Sequence, residues 1–140
     1  MNHDRGNQIV TDFIHMLSKL PEINVTKRRD ISPNVYEIDG AFNSLLYVKA
    51  RSEEPLRWGV RKTIVERLRR QAKPWDVLLL YDLPCTGFLF FSKVVLHYID
   101  NSIWPYAKDG DYKPSDTEKY SSKSVTVRSI DELLHKISAT

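Results

Sequence analysis

Trp75 to Tyr81 reads W-D-V-L-L-L-Y, an almost unbroken apolar run of the kind a β-strand carries when both of its faces are covered. Such a strand needs a packing layer above and below its sheet. The stretches on either side have the helical spacing to supply those layers. In the 140-residue chain the expected architecture is α/β: one domain, with a mixed central sheet flanked by helices.

Taken in order, Ile9, Phe13, Met16, Leu17 and Leu20 form one apolar stripe of a first helix that Pro21 stops. Ile23 and Val25 begin a strand that turns basic at Lys27, Arg28 and Arg29, and Ser32-Pro33 marks a turn. Asn34 to Asp39 and Ser44 to Ala50 are a pair of strands rich in Val, Ile, Leu and Tyr. A loop then leads to a helix over 60–72 with Val60, Ile64 and Leu68 on its buried side. After the Trp75 run come a turn bracketed by Pro84 and Gly87, a strand over Phe88 to Phe91, and a helix from Lys93 to about Asp100 with Ser92 as its N-cap. Residues 101–124 lack periodicity, Val125 to Arg128 reads as an edge strand, and Ser129 with Glu132 forms a capping box for a last helix.

No apolar run reaches the roughly 18 residues that span a bilayer, and M-N-H-D-R-G-N lacks the apolar centre of a signal peptide, so a cytoplasmic protein without membrane contact is expected. Cys85 has no partner for a disulfide and reads as a turn residue. His3, His15, His97 and His135 are scattered without ligand spacing, Asp109-Gly110-Asp111 is too short for a calcium loop, and no phosphate-binding glycine loop is present. The net charge of +3 is uneven: Arg51 to Lys73 holds eight basic and three acidic residues, about +5, which leaves −2 for the rest. A local field of that sign suits a polyanion such as nucleic acid.

The order helix, three strands, helix, two strands, helix resembles the restriction-endonuclease-like, or PD-(D/E)XK, nuclease superfamily, in its compact form similar to the archaeal Holliday junction resolvases. The resemblance covers a core of about 7–100, with 101–140 as an accessory segment. In that family an aspartate, often after proline, opens the second core strand. An acid-x-lysine triplet follows in the third, and an acid on the first helix often completes the site. Here Ser32-Pro33-Asn34 stands at the first motif and Tyr47-Val48-Lys49 at the second, so the lysine matches while Asn34 and Tyr47 replace the acids. Asp12, with Asp4 also near, corresponds to the acid of the first helix.

The resemblance implies a DNA partner, a homodimer and, if the protein cuts, Mg²⁺-dependent phosphodiester hydrolysis by Lys49 with Glu37 or Asp39 as the metal-binding carboxylates. Hairpin register decides whether that rescue exists. With an even register such as Glu37 opposite Tyr47 and Asp39 opposite Leu45, the acids share the Lys49 face. With an odd one, such as Asn34 opposite Lys49, they point away.

Arg51, Arg57, Trp58, Arg61, Lys62 and Arg69 are the expected nucleic-acid contacts, with Trp58 stacking on a base. Two competing readings stand. Trp58 beside Gly59 also fits a tryptophan that plugs the loop onto the core. The chain as a whole also fits a non-catalytic interaction module that binds a protein through Ile103 to Tyr112.

Overall fold

The computed structural model describes residues 2–40, 42–53, 57–114 and 125–139. Its elements run α1 (Asn2–Ser18), β1 (Ile23–Lys27), β2 (Val35–Gly40), β3 (Ser44–Ala50), β4 (Val60–Arg61), α2 (Lys62–Arg69), β5 (Trp75–Asp82), β6 (Thr86–Phe91), α3 (Ser92–Asp100), β7 (Asp111–Tyr112), β8 (Val125–Val127) and α4 (Ile130–Ser138). Six strands form one mixed sheet in the order β1-β2-β3-β5-β6-β8, and β4 and β7 form a separate two-stranded ribbon. Only β3 and β5 run parallel, because α2 carries the chain back between them; the other neighbours in the large sheet are antiparallel.

The apolar run is the central strand β5, and its alternation explains why it reads as continuous. Trp75, Val77 and Leu79 pack with Val65 and Leu68 of α2 and Val95 and Tyr98 of α3. Leu78 and Leu80 face the other way, onto Ile9, Phe13 and Leu17 of α1 and Leu133 and Ile137 of α4. β3 divides likewise, Leu45 and Tyr47 to the α2/α3 side and Leu46 and Val48 to the α1/α4 side. Each central strand is buried from both sides, so no position on it needs a polar residue.

Several expectations are corrected. Val60 and Arg61 do not begin α2 but pair with Tyr112 and Asp111, so part of the aperiodic segment closes a ribbon against the loop before the helix. Ser92 is the first residue of α3 rather than its cap: Phe91 holds the extended cap position, and no side chain caps the helix there. Ser129 does cap α4, its hydroxyl accepting the Glu132 N–H at 3.1 Å. Within the segment Ile103 to Tyr112, Trp104 is buried in the core against Phe90 and Tyr98, and Ile103 and Tyr112 pack partly against it, while Pro105, Tyr106, Lys108 and Asp109 are exposed. The remainder of the aperiodic stretch, 115–124, lies outside the described residues. Among the described residues no helix is long and apolar enough to cross a membrane.

Gly87 sits where β6 lies tight against the backbone of β5. A Cβ on it would lie 2.0 Å from the Leu79 carbonyl oxygen and 2.8 Å from Leu80 Cα, next to the register irregularity between Leu80 and Asp82. Only glycine permits that approach.

Candidate functional site

The cleft at the end of β3

The hairpin register is even. Val35 lies opposite Tyr47, Tyr36 opposite Leu46, Glu37 opposite Leu45 and Ile38 opposite Ser44. Glu37, Tyr47 and Lys49 therefore share the α2/α3 face, but Glu37 is two residues further from Lys49 than the expected pairing would put it. Opposite Leu45, it is four strand residues away from Lys49, about 13 Å along the sheet.

The lysine end of β3 opens on a cleft of about 450 Å³. Asn7 and Val10 of α1, Asn34 ahead of β2, Lys49, and Arg57 beyond the following loop line it. Gly6 lets α1 come this close, since a Cβ there would be 3.0 Å from the Ala50 carbonyl oxygen. Arg51, Glu53 and Trp58 complete much of the wall, so its ionisable lining comprises three cations and one acid.

Lys49 is half-buried, and no hydrogen bond or ion pair holds its Nζ among the described residues. Burial lowers its pKa; Asp111 opposes that shift, and Arg61 and Lys113 add to it. The β4–β7 ribbon thus reaches the lysine electrostatically. Within the ribbon, Arg61 Nε pairs with Asp111 Oδ1 at 3.0 Å and donates through Nη1 to the Asp109 carbonyl at 2.8 Å, while Lys113 bonds Asp109 Oδ2 at 2.6 Å. Gly59 gives Asp111 its room: a Cβ would stand 2.6 Å from the Asp111 carboxylate.

Tyr47 is buried beneath this ribbon, and its hydroxyl oxygen accepts the Arg61 backbone N–H at 3.1 Å. Burial pushes its phenol up to about 12, which removes it as an anionic ligand near neutral pH. Asn34 lines the cleft and uses its backbone in the hairpin, its carbonyl accepting the Val48 N–H at 3.0 Å.

The expected carboxylates do not join these residues. Glu37 is held by Lys73 and by Arg28, the latter at 2.8 Å, and those two cations draw its pKa below the usual carboxylate range, Lys73 contributing most. Both of its oxygens serve that ion pair at the far end of the strand, so Glu37 is a structural anchor between β1, β2 and the α2–β5 turn. Asp39 is exposed and accepts the Gly40 N–H at 2.9 Å. Asp12 takes a bond from Gln8 at 2.7 Å. At about 100° per helical residue it is turned roughly 140° from Asn7 around α1, away from the cleft. Among the described residues no group of three or more His, Cys, Asp and Glu side chains is placed to share a metal ion. Magnesium requires charged oxygen ligands that converge. The donor set at the Lys49 cleft, two asparagines with the single carboxylate of Glu53 among three cations, does not fit it.

Trp58 is also corrected. It is 2% exposed, donates its indole N–H to the Leu80 carbonyl at 3.0 Å and meets Phe88 edge-on, so it plugs the loop onto the core and offers no face to a base. Arg57 and Arg69 are exposed, Lys62 lies over the Tyr106 ring at 5.4 Å, and Arg61 is committed to the ribbon. Cys85 is buried in the β5–β6 turn, where burial pushes its thiol up to about 12.

Sequence reasoning missed Asn7, because nothing in helical spacing separates it from the other polar residues of α1. It also missed Asp111 and Lys113, which reach the site through a ribbon of only two paired residues. Neither family models nor curated proteins nor solved structures give a match to this chain.

Proposed function

We propose that the protein binds the phosphate backbone of nucleic acid, most simply DNA, at the Lys49 cleft, on a restriction-endonuclease-like framework that has given up metal-dependent cleavage at this position. The observation that carries the reading is the company Lys49 keeps. A half-buried ammonium group with no counter-ion among the described residues shares its cleft with two asparagines, two arginines and one acid, Glu53, and the motif's acid positions hold Asn34 and Tyr47. A phosphate supplies the missing counter-charge, and amides can donate to its oxygens without repelling it. The element order through α1, β1 to β3, α2 and β5 supports the same framework.

Lys49, Arg51 and Arg57 set the expected salt dependence. Three phosphate contacts give a slope of log K against log salt of roughly −3 on duplex DNA, and removing one lysine lowers its magnitude by about 1. Fluorescence anisotropy of labelled duplex and four-way-junction DNA over a salt series, with Lys49→Ala and Arg57→Ala, tests this. Binding that is lost at low salt, or a slope unchanged in Lys49→Ala, refutes it. The homodimer implied by the resemblance belongs to the same proposal and is read from the mass in solution.

A further inference from the structure

A second cleft, of about 540 Å³, lies at the other end of the sheet, where β3 and β5 begin. Phe42, Trp75, Phe91, Val94 and Ile137 give it apolar walls, and Asp76 of β5 is among its lining residues. It shares no residue with the Lys49 cleft.

Asp76 is the unusual member. It is 6% exposed, yet its only hydrogen bond among the described residues comes from Ser44 Oγ to Oδ2, at a long 3.3 Å. The Ser44 hydroxyl has one proton to give, and the carbonyl oxygens of Pro74 and Leu45 lie at 3.4 and 3.5 Å from the same Oγ. Oδ1 receives no hydrogen bond among the described residues, and no cation pairs with the carboxylate there. Lys93 also lines the cleft, but its side chain is exposed and makes no ion pair with Asp76. Burial pushes the Asp76 carboxyl up to about 6, so at pH 7.5 it is ionised and nearly without partners.

A buried carboxylate with this little compensation is costly, whereas a serine or asparagine would fill the same place cheaply. The cavity has the size of a small-ligand site, and among the described residues Asp76 is the one acidic side chain in its lining, beside apolar and aromatic walls. The charge complement is an ammonium group, which brings up to three donors. The wall complement is a ring or branched alkyl body. Lys93 at the rim disfavours a second positive charge, and so a polyamine.

We propose that this cleft is a binding site for a small primary monoamine with an aromatic or branched aliphatic body, its ammonium group donating to Asp76 and its body lying against Trp75, Phe91 and Val94. The site is independent of the Lys49 cleft and of nucleic-acid binding.

Calorimetric titration of the full chain at pH 7.5 with 2-phenylethylamine tests it, with 2-phenylethanol as the neutral isostere. Saturable 1:1 binding with a Kd of about 1 mM or tighter is expected for the amine. The alcohol, and the amine on Asp76→Asn, should bind at least about tenfold more weakly, since each removes one half of the ion pair. Val94→Trp, which fills the cleft from α3, should abolish binding while DNA binding persists. Absence of saturation by about 10 mM amine overturns the proposal. So does equal affinity for the alcohol or for Asp76→Asn, which would mark a merely apolar cavity, or amine binding that survives Val94→Trp, which would put the ligand elsewhere.

Discussion

Replacing Asp76 by asparagine should make the protein more stable at neutral pH and no more stable at pH 4. The ordinary aspartate pKa of 3.8 is pushed up to about 6 in the folded chain, chiefly by burial, with the Ser44 hydroxyl opposing the shift. A raised folded-state value means that the native protein binds the proton more tightly than the unfolded chain does. The stability linked to Asp76 is therefore fully present below 3.8 and is lost as pH rises through about 6. Raising the carboxyl from 3.8 to about 6 corresponds to roughly 3 kcal/mol at 25 °C. Asparagine carries no charge at any of these pH values. Its amide still needs partners among Ser44 and the Pro74 carbonyl, so the net gain at pH 7.5 is set at about 1–3 kcal/mol. Urea unfolding of both proteins at half-unit steps from pH 3.5 to about 8 measures the difference. The curve of the difference should be flat below pH 4, rise between 4 and 6 and level off above. A difference independent of pH, or an asparagine variant that loses ground as pH rises, would refute the burial argument. Saturating 2-phenylethylamine should favour the wild type and narrow the gap, because a ligand that binds only the native aspartate form stabilises it by mass action.

Other perturbations test the frame around the two clefts. Gly87→Ala should unfold the protein or cost more than about 3 kcal/mol, because the new Cβ meets backbone atoms of β5 that cannot turn aside; a normal thermal transition would show that the β5–β6 approach is looser. Glu37→Gln should lower stability by about 1 kcal/mol near neutral pH, with the gap closing on acidification below 4.5, since the carboxylate's depressed pKa stabilises the fold only while it is ionised. The same variant should leave DNA affinity unchanged, and a loss of binding would return Glu37 to the site. Trp58→Phe should cost about 1–2 kcal/mol for the lost indole bond to Leu80 while preserving DNA binding, and a specific loss of binding in a folded variant would restore the stacking role.

The layers of the fold were legible because burial writes itself into residue choice. The unbroken run from Trp75 could only be a strand covered twice, and the stripe Ile9, Phe13, Leu17 could only be a helix face. Ser129 and Glu132 announced α4 because a cap is a local device, settled within one turn. The β4–β7 ribbon was not legible. Val60 fits a helical stripe as well as a strand, and its partner Tyr112 lies far along the chain in a stretch with no period of its own.

The site divides along the same line. Lys49, Asn34 and Tyr47 were singled out only through the resemblance to an acid-x-lysine motif. Glu37 and Asp39 satisfied the parity rule for the lysine face, but parity leaves translation open. The hairpin could slide by two residues without moving any side chain to the other face. Contacts from outside the hairpin hold it in place: Arg28, just after β1, and Lys73, from the turn before β5, converge on Glu37 at the distant end. Trp58 was decided the same way, by a carbonyl of β5 that takes its indole proton. The sequence by itself thus determined which segments are buried, how they alternate and where the lysine stands. Only the tertiary structure decided which charges meet, because an ion pair depends on a distance between strands, and period-two patterning carries no record of that distance.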